Sequence, residues 1–295
     1  MATSIGLSST FMTMLDEVYM LGAKSSGLER PDLVQETDQA NVVRIPKIAL
    51  QGLGTYSQTA GFVEGDVTFS YETHTFTQDR GRTFSVDRIA DMETANTAFA
   101  GVASEFIRTK VAPEIDAYRF AVLATAATSG TSLTAGTTLS ADSTLQALDE
   151  GFRVLEDNNV DPENCIVYIT PTIKKWLKES SLLTGRGTIE QPLTTLNGNM
   201  VVTVPQNRFY TGITLYDGST AGQEAGSYIK NGKDINFLIV DKTAVLGITK
   251  IAQPRIFSPE VNQSRDAWKY DFRIYHDLFV PDNKVAGIYR HNLAS

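Results

Sequence analysis

The chain has 295 residues and a mass of 32.3 kDa, enough for one large or two small domains. Hydrophobic residues make up 42% and charged residues 20%, which supplies a core and excludes global disorder. The net charge of −8, from 26 Lys and Arg against 34 Asp and Glu, argues against a protein that grips nucleic acid by neutralising phosphates, though not against one that surrounds it. The single cysteine, Cys165, excludes an internal disulfide and any multi-cysteine zinc site. His74, His276 and His291 form no HxH or HxxxH pair and read as surface or hydrogen-bonded residues. The first basic residue is Lys24, so the positive start of a secretory signal is missing. No apolar run approaches the ~18–20 residues of a membrane span, and the expectation is a soluble chain made in the cytosol.

Residues 1–46 read as an irregular polar arm. Within it Phe11, Leu15, Val18 and Tyr19 fall at i, i+4, i+7 and i+8, a short amphipathic helix that must dock on something. From Ile48 to Phe84 the pattern is a long β-hairpin, with Val67, Phe69 and Tyr71 on one face and Asp66, Thr68, Ser70 and Glu72 on the other. A two-stranded hairpin is marginal alone, so it needs a partner surface. Met92 to Ala126 carries the strongest helical signal, with Asp91 as cap and Phe99, Val102, Phe106, Ile107, Val111, Ile115, Tyr118 and Val122 forming its apolar stripe. Such a rod is about 50 Å long. Pro113 predicts a kink near Thr109–Val111, and the stripe shifts across Phe106 and Ile107, implying two segments on different neighbours.

Thr128 to Asp142 is a Gly-, Ser-, Thr- and Ala-rich linker. An α/β unit follows. Ser143 is the expected cap of a helix carrying Leu145, Leu148, Phe152 and Leu155, which Asn158-Asn159 ends. Cys165–Ile169 is a buried strand in which Cys165 is a small core residue, and Thr170-Pro171 opens a helix with Ile173, Trp176 and Leu177. Met200–Val204 and Phe237–Val240 are further strands. Ile248–Phe257 is a long strand whose Pro254 requires an edge or a bulge. In the next strand Trp268, Tyr270, Phe272 and Ile274 share one face, and Lys269, Asp271, Arg273 and Tyr275 the other. The loop from Ser258 to Asp266 projects.

No chemical motif in the sequence is complete. Gly52-Leu53-Gly54 lacks the third glycine of a dinucleotide loop, where Ser57 stands. Gly232-Lys233 fails as a phosphate loop at Ser227 and at Asp234. Gly218–Gly222 places Thr220 where a nucleophilic serine is needed. Asp149/Glu150 and Glu156/Asp157 are adjacent on one helix and do not converge. No catalytic, cofactor-binding or metal-binding residue is expected, and the chain is expected not to be an enzyme.

The order of arm, long hairpin, long helix, α/β unit and terminal long strands resembles the major capsid proteins of tailed bacteriophages, the Hong Kong ninety-seven-type fold. FSVDRIADMETANTAFAGVASEFIRTKVAPEIDAYRF (84–120) looks like that family's junction of hairpin and spine helix. LNGNMVVTVPQNRFY (196–210) and FLIVDKTAVLGITKIAQPRIFSP (237–259) look like its central-domain and late-strand segments. The resemblance implies an α+β capsid fold: an N-terminal arm (1–47), an extended loop (48–87), a spine helix (88–128) and an axial α/β domain (129–245). Peripheral long strands (246–278) and a C-terminal strand and tail (279–295) complete it. The loop at 259–266 would lie near the symmetry axes where capsomers meet.

It implies a structural coat protein that assembles into pentamers and hexamers, forming an icosahedral shell around double-stranded phage DNA without sequence-specific binding. The implied location is the virion capsid, assembled in the host cytoplasm, with no membrane partner. Lys and Arg are expected on the inner face or at subunit seams. Expected subunit contacts are Val67, Phe69 and Tyr71 on the hairpin, Phe99, Phe106 and Arg108 on the spine helix, and Arg265, Trp268 and Arg273 on the late loop and strands. Phe11, Leu15 and Tyr19 are expected to dock the arm. Partners are the chain itself and a portal; since no long scaffolding region precedes the arm, either a separate scaffolding protein directs assembly or a prodomain has been removed, and the start at Met1 favours the former. Some members crosslink subunits through a Lys–Asn isopeptide bond in the extended loop. No lysine occurs here between Lys47 and Lys110, so no such bond is expected. Two rivals stand beside this reading: an encapsulin-type compartment shell, and a ligand-binding α/β protein or enzyme using 143–245.

Overall fold

The computed structural model describes residues 22–30, 41–59, 61–93, 97–129, 138–179 and 195–293. Strands β1 (Val42–Leu50) and β2 (Val67–Thr75) pair antiparallel, Val42 with Thr75 through Leu50 with Val67. The hairpin expected over 48–87 is therefore shifted. It starts at Val42, and β3 (Gln78–Asp87) leaves it for another sheet. The cause is tertiary: Phe76 turns into a core beside Tyr275 and Phe279, and the Thr77 N–H and hydroxyl donate to Asp277, at 2.8 and 2.9 Å.

A short helix α1 (Arg88–Glu93) follows, with Asp91 inside it and buried rather than capping a longer helix. The long rod is α2 (Thr97–Phe106), a π turn (Ile107–Val111) and α3 (Ala112–Ser129). The Ala112 N–H reaches back five residues to the Ile107 carbonyl. This is the expected break: Pro113 has no N–H to give, and the wider turn accommodates its ring while inserting one extra residue. That residue rotates the stripe. Ala103, Ile107, Val111 and Ile115 face a sheet that includes Phe84, Tyr270, Phe272 and Ile274. Phe120, Leu123, Ala124 and Ala127 face a second core with Tyr168, Leu238 and Val240.

That second core belongs to the α/β unit. Helix α4 (Ala141–Asp157) is capped by Ser140 rather than Ser143. The Ser143 N–H and the Ser140 side chain form a capping box, with the Ser143 hydroxyl returning to the Ser140 N–H. Asn159, at φ 59°, ends the helix with its neighbour Asn158. Strand β4 (Cys165–Ile169) is wholly buried, and Thr170 caps α5 (Pro171–Glu179) through the Ile173 N–H. Then come β5 (Thr195–Leu196), β6 (Asn199–Thr203), β7 (Ile213–Leu215), β8 (Tyr228–Lys230) and β9 (Ile235–Asp241). Cys165, Val167 and Ile169 pack under α4 and α5, while Ile166 and Tyr168 pack under α3. Both faces are covered, which explains the unbroken apolar run.

Strands β10 (Leu246–Phe257) and β11 (Ala267–Phe279) pair antiparallel, and β11 pairs with β3 on its other side. The order β10–β11–β3 leaves Pro254 on an edge strand. Tyr270, Phe272 and Ile274 are buried, Trp268 only partly. Phe279 ends β11 instead of opening the last strand, because Val280-Pro281 breaks it. The last strand, β12 (Ile288–Asn292), pairs with β9 and completes the sheet β12–β9–β4–β6–β5.

Candidate assembly surfaces

Cross-strand partners share a face of a hairpin, so the register puts Pro46, Ile48 and Leu50 beside Tyr71, Phe69 and Val67. All six are exposed, and Val67, Phe69 and Tyr71 retain 64%, 55% and 52% of their surface. The Phe69 and Tyr71 rings pack edge to face at 5.0 Å. Nine-residue strands extend about 30 Å from a base gripped by Val43, Ile45 and Phe76 against Leu246, Ile248, Tyr275 and Phe279. A monomer gains nothing by leaving such a stripe in water. The chemistry it supports is burial against another surface.

The other expected contacts are scattered. Phe99 falls on α2. Phe106 packs into its own chain, 4.8 Å from the Phe84 ring and 5.9 Å from Phe272. Arg108 is exposed on the π turn and pairs with Glu105 at 2.7 Å. Arg265 is exposed in the 258–266 loop. Trp268 is partly buried opposite Val86. Arg273 makes a two-pronged pair with Asp79 across β11 and β3, at 2.8 and 2.5 Å. Phe11, Leu15 and Tyr19 lie outside the described residues.

Sequence reasoning missed a buried ionic clamp on the arm. Asp116 of α3 is fully buried and accepts from the Lys24 N–H (2.9 Å), the Ser25 N–H (2.9 Å), the Ser25 hydroxyl (2.7 Å) and Arg208 (3.1 Å). One turn on, buried Arg119 donates to Glu29 at 2.8 Å and to Thr249 at 3.1 Å. The Arg30 N–H then reaches the Gly247 carbonyl. The signal was an Asp and an Arg three apart on the apolar side of a helix, which a solvated-surface reading overlooks.

Titratable groups elsewhere serve packing. Burial pushes the Cys165 thiol up to about 12, against thiolate chemistry. Burial holds His276 down to about 3, with Arg119 and Arg80 adding repulsion, and lowers His291 as well. Tyr118 rises to about 12, chiefly through burial. Its hydroxyl donates to Asp277 at 2.7 Å, beside Thr77 at the hairpin's exit. Among the described residues no three His, Cys, Asp or Glu side chains cluster to hold a metal ion, and no helix is long and apolar enough to cross a membrane.

The fold recurs in solved structures. The capsid structure of the cyanophage P-SCSP1u superposes with a TM-score of 0.61 at 13% identity, over 91% of this chain and 87% of that one. The mature capsid of bacteriophage PhiM1 gives 0.61 at 13% identity, over 87% and 83%. The chain has the phage-capsid fold. A virus-like particle from Pyrococcus furiosus is also similar, with a TM-score of 0.50 at 11% identity, over 95% of this chain and 96% of that one. No protein-family model matches the chain, and no curated protein does.

Proposed function

We propose that the protein is the major capsid protein of a tailed phage, a structural coat subunit and not an enzyme, which assembles into pentamers and hexamers and closes an icosahedral shell around DNA. The observation that carries the reading is the ~30 Å hairpin with an uncovered apolar face, on a chain with the phage-capsid fold. In this reading α2, the π turn and α3 are the spine helix. Strands β3, β10 and β11 form the peripheral sheet, the β12–β9–β4–β6–β5 sheet belongs to the axial domain, and residues before β1 are the arm. Each stripe buried on a neighbour contributes ~25 cal/mol per Å², and many such contacts closing together make the shell durable. The charge of −8 suits a shell that encloses DNA without adhering to it. A portal, and a scaffolding protein or a scaffolding prodomain, are the partners this role implies, and assembly would take place in the host cytoplasm.

The likeness to the Pyrococcus furiosus virus-like particle keeps a second shell reading beside the first, an encapsulin-type compartment. Neighbouring genes for a portal and terminase, or for a cargo enzyme, separate the two. The test of the shared claim is sedimentation with negative-stain microscopy of the chain alone and with a co-expressed scaffolding gene. Pentamers, hexamers or shells tens of nanometres across are expected. A monodisperse monomer under both conditions would overturn the capsid reading.

A further inference from the structure

We propose that a basic groove between the π turn and the β7–β8 pair binds backbone phosphates of nucleic acid without reading the bases. The source of that nucleic acid, packaged DNA, rests on the capsid reading; the groove itself does not.

The groove encloses about 510 Å³, room for a short stretch of phosphodiester backbone. One wall is the π turn. Its ends, Ile107 and Val111, are buried, and the three residues between them, Arg108, Thr109 and Lys110, are all exposed. A wide turn inside a long helix frequently marks a functional position. The opposite wall is β8 with the turn Gln206–Arg208, joined where the Tyr228 hydroxyl donates to the Asn207 carbonyl at 2.7 Å. Four of the chain's 26 Lys and Arg line the groove: Arg108, Lys110, Arg208 and Lys230. Among the described residues, none of its 34 Asp and Glu does.

The four cations are held differently. Arg208 is fixed from behind, its Nη1 donating to Asp116 and to the Gly22 carbonyl, each at 3.1 Å. Its Nε has no partner among the described residues, so the fork has donors in hand. Arg108 and Lys230 pair outward with Glu105 and Asp234, both at 2.7 Å. Exposed pairs of this kind are weak, and a phosphate can draw both cations off them at little cost. Lys110 has no carboxylate partner among the described residues. The result is a rigid guanidinium on one wall and three long cations able to reach across the opening.

The lining selects phosphate over carboxylate. Among the described lining residues Pro113 alone is aliphatic. An acidic protein segment would find charge there but no apolar pocket of the kind that anchors protein contacts. A phosphate backbone asks for charge and hydrogen-bond donors, and the planar guanidinium fork matches its oxygens in pairs. Such contacts carry no sequence information, which suits a shell that must enclose any stretch of DNA. On a chain of net charge −8, one such groove gives a loose hold and not a grip.

The test uses the full chain before assembly and a ~30-base-pair duplex of mixed sequence, read by fluorescence anisotropy. Arg108→Gln, Lys110→Gln and Lys230→Gln are combined, all three being exposed. Arg208 is left in place because it also holds the arm. The triple variant should weaken binding about tenfold at low salt and lower the slope of log affinity against log salt by about 2–3. The same charge change on α5, with Lys174→Gln, Lys175→Gln and Lys178→Gln, should leave affinity within about twofold. Equal losses in the two triples would reveal net charge alone and overturn the site, as would a wild-type chain that fails to bind the duplex at low salt. Polyglutamate competing as well as DNA would make the groove a site for acidic protein and overturn the proposal too. A chain that never assembles, yet loses binding in the groove variant, keeps the phosphate site and loses the capsid reading.

Discussion

Replacing Asp116 by alanine is expected to unlatch the arm. The carboxylate takes the Lys24 N–H, the Ser25 N–H and hydroxyl, and Arg208, at 2.7 to 3.1 Å, and is fully buried. Hydrogen bonds to a charged acceptor contribute ~1.5–3 kcal/mol each but are not additive, and breaking a buried pair costs about 3–5 kcal/mol in all. The loss falls on a segment with its own remaining grip: Leu28 in the core, Arg119 on Glu29, and the Arg30 N–H on Gly247. Release is therefore local, and the open population should rise by about 10²–10⁴. Trypsin reads this directly, because the Lys24–Ser25 bond lies in the docked stretch. Cleavage there should accelerate by that factor while the urea midpoint of the whole chain moves far less. Asp116→Asn keeps an acceptor oxygen and should fall between. Cleavage within about twofold of wild type in a folded Asp116→Ala chain would refute the clamp as the arm's main anchor.

Three further outcomes follow from packing and charge. His276 and His291 are held neutral in the folded chain, His276 down to about 3, so the unfolded chain takes up protons first as pH falls below ~6.5. Stability should be full above that value and decline below it, by up to about 1.4 kcal/mol per pH unit for His276, with His291 adding in the same direction; urea midpoints that stay level from pH 7 to pH 5 would contradict this. Gly151 sits where α4 presses on its sheet, and an added Cβ would lie 2.8 Å from Ile239 Cδ1 and 2.9 Å from Tyr289 Cδ1. Gly151→Val should cost about 2–3 kcal/mol and lower the melting temperature by ~5–10 °C in calorimetry. With no lysine between Lys47 and Lys110, boiled shells should run on denaturing gels as one band near the 32.3 kDa chain mass, and a ladder would show a crosslinking chemistry of another kind.

Local periodicity carried much of the fold. The alternation through Val67, Phe69 and Tyr71, the helical stripe with its shift at Phe106 and Ile107, and the Thr170-Pro171 helix start all depend on neighbours within a few residues. What the sequence hid depends on distant ones. Alternation runs on past Thr75, so nothing local separates the hairpin from β3. The division is made by Asp277, which takes Thr77 from 200 residues away. Asp116 and Arg119 look like polar positions on a solvated helix until the arm, some ninety residues earlier, covers them. For the same reason Arg273 and Phe106, plausible outward contacts by pattern, turn out to be engaged by Asp79 and Phe84 of their own chain.

The two kinds of attachment explain how one chain can be firm and yet leave the apolar face of its hairpin open. A two-stranded ladder holds its own shape only marginally, so the direction of the hairpin is set at its base. There Val43 and Phe76 pack against Tyr275 and Phe279, and Asp277 ties Thr77 to Tyr118 of the long helix. Over a lever of about 30 Å, a tilt of ~10° at that base moves the tip by about 5 Å, one residue's spacing or more. The carboxylate of Asp277 thus governs where Phe62 arrives, although the two are far apart. Loosening it would leave every surface residue of the hairpin in place and still misdirect the contact on which, in the capsid reading, assembly depends.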